Sequence, residues 1–189
     1  IPAVAEGTAL LTGTAPPESW LGRPPFLVGA FEALGELRHL EGWRCWQVGG
    51  AQRREEAGYL QQLENLADQL GIAGRVDFLG QRPDVSRLLA AADVFCQPNL
   101  SPEPFGLTFV EAMHAGLPVV TSAFGGGVEV VDGYGCLVES GSRSDLAETL
   151  RQLRAFREAS WEEALDLAGN GLRRIRDSLG PWALAGFGS

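Results

Sequence analysis

The chain has 189 residues, a length that suits one domain of good size with a small extension. Hydrophobic residues make up 45% and charged residues 21%, which is ordinary for a soluble globular protein. Its 24 acidic residues outnumber 15 arginines, it has no lysine, and its net charge is −9. Such a negative chain is a poor binder of nucleic acid, so we expect no nucleic-acid partner. No apolar run approaches the roughly 20 residues that span a bilayer and no leader-like segment opens the chain, which favours a cytoplasmic location.

In chain order, short apolar runs alternate with longer segments of helical periodicity. The predicted elements are strand 9–13, helix 26–40, strand 43–48, helix 53–70, strand 75–79, helix 84–92, strand 93–97, a helix that begins after Phe105, strand 118–121, a helical turn at 128–131, strand 135–138, helix 144–156 and a helix at 161–179. Gly71 is expected to end the long second helix, and Ser144 to be the N-cap of the helix near it.

Strands that are separated by helices predict βαβ crossovers, and hence an α/β fold with a Rossmann-like parallel sheet and helices on both faces. We expect this domain to cover residues 1–158 and a helical extension to cover 159–189. Ligands of such sheets bind beyond the carboxyl ends of the strands. Polar and glycine-rich segments fall at those ends, at Thr14, 49–50, Gly80, 98–106 and 122–127. This convergence predicts a single site.

The three cysteines, Cys45, Cys96 and Cys136, each lie alone inside an apolar run. They show no C-x-x-C or Cys/His spacing that would indicate zinc or redox chemistry. We therefore expect buried free thiols, as in a reducing compartment.

The segment SPEPFGLTFVEAMHAGLPVVTSAFGGGVEVV carries two carboxylates, Glu103 and Glu111, around a turn that opens a helix. Prolines before Phe105 suppress helix, and Gly106 is a permissive turn residue. A helix N-terminus offers backbone N–H groups to a phosphate or hydroxyl, and carboxylates accept hydrogen bonds from vicinal hydroxyls. The combination predicts a nucleotide-sugar site. Two faces of this helix are candidates for burial: Phe109, Met113 and Gly116, or Leu107, Val110 and Ala115.

Within this segment, EPFGLTFVEAM followed by AGLPVVTS and GGGVEVVDG closely resembles the E-x7-E segment of the family 4 (group 1) glycosyltransferases. Weaker similarity runs from about residue 9 to residue 153, including RVDFLGQ and LLAAADVFCQP. The resemblance implies the C-terminal, donor-binding domain of a GT-B glycosyltransferase. The expected reaction transfers a glycosyl group, with retention, from a nucleoside-diphosphate sugar to an acceptor hydroxyl. It implies no metal and no other cofactor, and the chain has no D-x-D motif.

The resemblance also assigns expected roles to individual residues. Glu111 would bind the ribose hydroxyls, with a plain exposed helical Glu as the alternative interpretation. Glu103 would be the catalytic residue near the donor sugar and the reacting phosphate, with a capping carboxylate as the alternative. The other expected donor-binding positions are Phe105, Gly106, Leu107, Thr108 and Gly126 near the sugar and Gly80 and Arg82 near the base. A plain helix start, a glycine loop and a solvated loop cation are the corresponding alternatives.

The chain departs from the family where the diphosphate would be held. Family members usually carry an Arg just after the first strand and a Lys shortly afterwards, whereas this chain has Thr14 and no Lys. Arg23 either replaces them or is a surface loop residue. Two alternatives therefore stay open: a non-catalytic nucleotide-sugar-binding or interaction module with a degenerate diphosphate site, and another GT-B enzyme such as a nucleotide-sugar epimerase or hydrolase. An acceptor glycan, lipid or small molecule would need a separate acceptor-domain partner, because the chain is too short to contain that domain.

Overall fold

The computed structural model of the chain describes residues 8–12, 26–49, 56–100 and 106–154. The chain divides into two units, Ile1–Arg154 and Ala155–Ser189, and all the described residues belong to the first. The predicted site residues Arg23, Glu103 and Phe105 lie outside the described residues, as do Thr14 and the predicted helix at 161–179. The predicted domain boundary at 158 stays a prediction.

Six strands in the described residues form one parallel sheet, as the sequence predicts. They are β1 (Thr8–Thr12), β2 (Arg44–Val48), β3 (Val76–Gly80), β4 (Val94–Gln97), β5 (Val119–Ser122) and β6 (Cys136–Val138). The order across the sheet is β3-β2-β1-β4-β5-β6, and each neighbouring pair is parallel. The chain therefore builds from β1 to one edge, returns to the centre at β4 and builds to the other edge.

The same residues form six α-helices. They are α1 (Phe26–Glu36), α2 (Glu56–Gln69), α3 (Val85–Leu89), α4 (Leu107–His114), α5 (Gly126–Val131) and α6 (Arg143–Arg154), with a 3₁₀ turn at Ala73–Arg75. Gly71 ends α2 as predicted, with φ of +71°. The first helix ends earlier than predicted, because the chain turns after Glu36 and the Leu37 carbonyl accepts a hydrogen bond from Trp43 Nε1 at 3.1 Å. None of these helices is long and apolar enough to cross a membrane.

The last described helix begins one residue earlier than predicted, and its N-cap is Ser142. The Asp145 N–H donates to Ser142 Oγ at 3.3 Å, and Asp145 Oδ2 accepts the Glu139 N–H at 2.7 Å. The predicted N-cap, Ser144, is therefore wrong. A cap accepts from the N–H two or three residues ahead, and Asp145 stands three residues after Ser142.

Helices cover both faces of the sheet, as predicted, and each face has its own hydrophobic cluster. On one face α1, α2 and α6 pack in a cluster that contains Phe31 and Leu146. On the other face α3, α4 and α5 pack in a cluster that contains Phe109. Successive strand residues point to opposite faces, so Phe95 belongs to the second cluster and Cys96 to the first.

Paired polar groups lie at the amino ends of β2 and β3. Arg44 Nε and Nη2 donate to the two carboxylate oxygens of Asp77 at 3.0 and 2.7 Å, and this contact raises the pKa of Arg44. Arg75 donates to the Leu40 carbonyl, and its guanidinium lies 5.1 Å from the centroid of the Trp43 ring. This edge of the sheet is opposite the one where the site is predicted.

The three cysteines are free thiols. Cys45 and Cys96 are buried as predicted, and burial raises the pKa of the Cys96 thiol to about 12. Cys136 is only partly buried, so the prediction is wrong there. It lies on β6, an outermost strand of the sheet, which has a neighbour on one side alone.

Candidate functional site

The reversal of strand order between β1 and β4 marks the place where a ligand would enter. The first helix after β1, α1, lies on one face of the sheet, and the first helix after β4, α4, lies on the other. Open α/β sheets bind their ligands in the crevice at the carboxyl edge where the strand order reverses. The predicted site segment is the connection from β4 to α4, so it begins at this crevice.

The helix that follows this connection begins as predicted. Gly106 precedes α4 in a left-handed conformation, with φ of 64° and ψ of 30°, and as a glycine it has no side chain of its own to cap the helix. Leu107 and Thr108 are the first two helical residues. Their backbone N–H groups and the positive end of the helix dipole suit a phosphate or a sugar hydroxyl.

The ring of Phe109 holds the starts of α4 and α5 together. It is fully buried and meets Phe95 edge to face, with 6.1 Å between the ring centroids. A Cβ at Gly106 would lie 2.8 Å from Phe109 Cδ2, and a Cβ at Gly127 would lie 2.6 Å from Phe109 Cε2. Both positions therefore require glycine. The predicted donor-binding residue Gly126 is the first residue of α5 and so lies near the start of α4.

The outward face of α4 carries the second predicted carboxylate, Glu111, which is exposed on the second turn. Of the two candidate buried faces, the one with Phe109 and Met113 is confirmed in part, since Phe109 is buried and Met113 partly buried but Gly116 is exposed. The one with Leu107 and Val110 is wrong, because these side chains are 69% and 48% exposed. Positions 107, 110, 111 and 114 follow helical spacing, so Glu111 lies on a strip that also contains these apolar side chains and His114.

A chain of hydrogen bonds links the end of β4 to the first turn of α4. Thr108 Oγ1 donates to Gln97 Oε1 at 3.3 Å, and Gln97 Nε2 donates to Asn99 Oδ1 at 3.1 Å. From the neighbouring strand, Thr121 Oγ1 donates to the Gln97 carbonyl at 2.9 Å. The sequence analysis named none of Gln97, Asn99 and Thr121 individually, although Asn99 falls in the segment 98–106 that it placed at this edge. The available signal was the polar Q-P-N directly after an apolar strand, where parallel sheets bind ligands.

Two buried polar atoms at this edge have no hydrogen-bond partner. Asn99 is 9% exposed and its Nδ2 is unpaired, and Ser122 at the end of β5 is 1% exposed with an unpaired Oγ. The backbone carbonyl of Asn99, by contrast, accepts from Ser140 Oγ at 3.5 Å. An unpaired buried polar atom costs about 1–3 kcal/mol, so proteins normally pair such atoms. A bound molecule is one source of the missing partner.

The residues predicted to flank the base lie at the end of β3. The Gly80 carbonyl accepts the Gly49 N–H at 2.9 Å, which joins the ends of β3 and β2. Arg82 Nε and Nη2 both donate to the Asp84 carboxylate at 2.8 Å, and this contact lowers the pKa of Asp84. The charge of Arg82 is therefore already paired. Three strand spacings, about 14 Å, separate β3 from β4, so a ligand that touches both must lie extended along the edge.

The structure thus brings most of the described site residues to two neighbouring helix starts. These residues are Gly106, Leu107, Thr108, Glu111 and Gly126. Gly80 and Arg82 border the same edge farther away. Within the described part of the chain, no group of three His, Cys, Asp or Glu side chains is placed to hold a metal ion.

The family model of the group 1 glycosyl transferases matches residues 27–164. The D-inositol 3-phosphate glycosyltransferase of Mycobacterium sp. (strain KMS) is 39% identical over 137 residues, which cover 70% of this chain and 29% of that protein. The lipopolysaccharide glucosyltransferase WaaG of Escherichia coli (strain K12) is 38% identical over 94 residues, which cover 48% of this chain and 25% of that protein. The chain therefore spans less than a third of the length of these relatives.

Solved structures agree with this family. HepE of Anabaena, in complex with UDP and glucose, is 31% identical with a TM-score of 0.67, over 79% of this chain and 39% of that one. WaaG, a glycosyltransferase involved in lipopolysaccharide biosynthesis, is 30% identical with a TM-score of 0.64, over 80% of this chain and 39% of that one. The sheet order, the helix start at its reversal point and these matches agree, and the chain belongs to the group 1 glycosyltransferases, which have the GT-B fold.

Proposed function

We propose that the chain binds a nucleoside-diphosphate sugar at the carboxyl edge of its sheet and supplies the donor half of a site for glycosyl transfer. The observation that carries this proposal is the exposed Glu111, one turn beyond a helix start at the strand-order reversal. Membership of the family supports it, and so does the similarity to HepE, whose structure contains UDP and glucose.

In this proposal the first two turns of α4 contact two parts of the donor. Glu111 accepts hydrogen bonds from the ribose hydroxyls, because a carboxylate offers two acceptor oxygens. The backbone N–H groups of Leu107 and Thr108 donate to sugar or phosphate oxygens. Gly106 and Gly126 let the donor approach the backbone closely, because neither has a side chain.

The remaining proposed contacts lie on either side of this helix start. Gly80 and Arg82 border the base at the end of β3, so the donor lies extended along the edge. Phe105 continues the backbone contacts to the sugar. Glu103 is the proposed catalytic residue beside the donor sugar and the reacting phosphate.

The proposed reaction follows family 4, with retention and without a metal. The acceptor oxygen bonds to the anomeric carbon on the face from which the diphosphate leaves, the bond between that carbon and the diphosphate oxygen breaks, and the acceptor's hydroxyl proton passes to the departing diphosphate. The start of α4 and Arg23 stabilise the negative charge on the departing diphosphate. A separate acceptor domain completes the cleft, and we propose a cytoplasmic location for the protein.

Because the proposed reaction uses no metal, the affinity for the donor should be unchanged by EDTA, as measured by calorimetry.

Isothermal calorimetry of the 189-residue chain with UDP-, GDP- and ADP-sugars tests the proposal. We expect one class to bind, and Glu111→Ala to weaken it about tenfold or more, because a hydrogen bond to a charged group contributes about 1.5–3 kcal/mol. Glu148→Ala is the matched control, since Glu148 is an exposed glutamate on α6 whose partners are Arg151 and Gln152. No binding at millimolar concentration, or equal binding after Glu111→Ala, would contradict the proposal.

One observation favours a second function, a nucleotide-sugar-binding module without transferase activity. Arg82 is paired with Asp84, and the chain has no lysine that could replace the family's usual diphosphate cation. Incubation of the chain with a bound donor and no acceptor separates the two functions. Hydrolysis of the donor, even slow, would support an enzyme and exclude the module.

A further inference from the structure

We propose that Asn99 contacts the diphosphate of the bound donor through its side-chain Nδ2 group. This role rests on the proposed function and adds a donor-contacting residue that the sequence pattern did not indicate. Its basis is a buried amide, 9% exposed, whose Nδ2 has no hydrogen-bond partner although its Oδ1 has one.

The orientation of this amide is fixed by its neighbours. Gln97 Nε2 donates to Asn99 Oδ1 at 3.1 Å, so the oxygen end is occupied. Gln97 is held in turn, because its Oε1 accepts from Thr108 Oγ1 at 3.3 Å and its carbonyl accepts from Thr121 Oγ1 at 2.9 Å. The Asn99 N–H₂ group is thus a preorganised donor, and preorganised donors bind with little further loss of side-chain entropy.

The same hydrogen bonds tie Asn99 to the start of α4. Thr108 is the second residue of that helix. Two hydrogen bonds, through Gln97, connect this residue to the amide of Asn99. One hydrogen-bond network therefore holds both the Asn99 amide and the first turn of α4, where an oxygen of the bound donor would accept hydrogen bonds.

The chemistry of these groups selects phosphate over hydroxyl. The Asn99 N–H₂ and the backbone N–H groups donate hydrogen bonds and cannot accept them. Ionised phosphate oxygens only accept, whereas a sugar hydroxyl also brings a proton that needs an acceptor. Two described arginines are already paired, Arg82 with Asp84 and Arg143 with Glu32 and Glu36. The proposal therefore assigns the diphosphate contacts at the end of β4 to neutral N–H donors.

Calorimetry of the 189-residue chain with UDP, UMP and uridine tests this role, or the guanosine or adenosine series if the unmodified chain binds that base. We expect Asn99→Ala to weaken the affinity for the nucleoside diphosphate about tenfold or more and the affinity for the nucleoside less than about twofold. Asn99→Asp should weaken the diphosphate further, because a carboxylate repels it. This variant keeps an oxygen for Gln97 Nε2, so it also serves if Asn99→Ala does not fold.

Ser140→Ala is the matched control, because Ser140 contacts the backbone carbonyl of Asn99 and not its side chain. It should leave the affinity for UDP unchanged. Thermal unfolding gives a second readout. Asn99→Ala should leave the midpoint without ligand nearly unchanged, since it removes an unpaired buried donor together with one hydrogen bond. The rise in midpoint on adding UDP should become smaller, in proportion to the lost affinity.

The outcomes separate this role from the function on which it rests. If the unmodified chain binds no nucleoside diphosphate, the proposed function fails and this role fails with it. If it binds and Asn99→Ala binds as tightly, only the role of Asn99 is wrong. An equal loss for diphosphate and nucleoside, or a lower midpoint with unchanged affinity, would also overturn the role.

Discussion

At the amino edge of the sheet the polar groups are paired within the chain, whereas at the carboxyl edge two buried ones have no partner. At the amino edge, Arg44 donates two hydrogen bonds to the Asp77 carboxylate, and the Trp43 indole N–H donates to the backbone carbonyl of Leu37. The carboxyl edge contains the unpaired Asn99 Nδ2 and Ser122 Oγ. The same fold therefore has one end that contributes stability and one that keeps hydrogen-bonding capacity for a ligand.

Two further buried atoms without a partner, Trp46 Nε1 and Tyr59 Oη, do not follow this division. Their apolar rings pack in or against the two hydrophobic clusters. Burial of the rings is worth more than the lost hydrogen bonds, because a large aromatic side chain buries about 150–250 Å². The contrast between the edges thus concerns small polar side chains.

The largest expected effect comes from removing the Phe109 ring beneath the carboxyl edge. Phe109→Ala should lower the free energy of unfolding by about 3–5 kcal/mol and also weaken nucleotide binding, because the ring positions two helix starts. Phe31→Ala is the control, since Phe31 is equally buried but belongs to the cluster on the other face. Urea unfolding and calorimetry measure the two quantities. Equal losses of affinity in both variants would break the comparison.

A smaller loss is expected at the amino edge. Asp77→Ala should lower the free energy of unfolding by about 1 kcal/mol, a modest value because both partners are a quarter to a third exposed. Affinity for the nucleotide should not change. Asp68→Ala, at an exposed position on α2, should change the stability by less than about 0.5 kcal/mol. A nucleotide affinity that falls in Asp77→Ala would show that the edges are not independent.

The N-cap of α6 allows a finer test. Ser142→Ala should cost about 0.5–1 kcal/mol in urea unfolding, because the Asp145 N–H loses its acceptor. Ser144→Ala should cost nearly nothing, since Ser144 is already helical. A larger loss of stability in Ser144→Ala than in Ser142→Ala would instead support Ser144 as the N-cap.

The smallest effect is electrostatic and depends on pH. The hydrogen bond from Arg82 lowers the pKa of Asp84, so the pair stabilises the fold above about pH 4, the usual carboxyl range. That contribution is lost as the pH falls through the lowered pKa. A carboxyl NMR titration should show a midpoint for Asp84 below the usual range, and Arg82→Ala should move it upward. A midpoint that stays the same in the variant would exclude the pair in solution.

The fold was largely predictable, because buried strands of a parallel sheet appear as short apolar runs between helical segments. The apolar runs do not indicate the order of the strands across the sheet, so the reversal of strand order between β1 and β4 was known only from the structure. The end of α1 was misplaced because Leu37 and Leu40 continue its apolar pattern after the backbone has turned. The two serines near α6 are equivalent in composition, and only the position of the free N–H distinguishes them.

The site was predictable to the extent that it is continuous in sequence. Glu111 and the first residues of α4 lie on one short motif, and their placement on a helix start followed from that motif. Gln97 was missed because its hydrogen-bond partners Thr108 and Thr121 stand 11 and 24 residues away, and the orientation of Asn99 depends on Gln97. The pairing of Arg82 with Asp84 was missed because an arginine in a loop has no periodic pattern that indicates its partner.

The packing of Phe109 between two glycines also limits how donor specificity can be altered. Gly106 is left-handed, and both Gly106 and Gly127 lie against the Cδ2–Cε2 edge of the ring, so a replacement at any of the three positions disturbs both helix starts. A mutagenesis library aimed at a new sugar should leave these three positions unchanged. Leu107 and Val110 are better positions to randomise, because their side chains are exposed and are not part of the packed core.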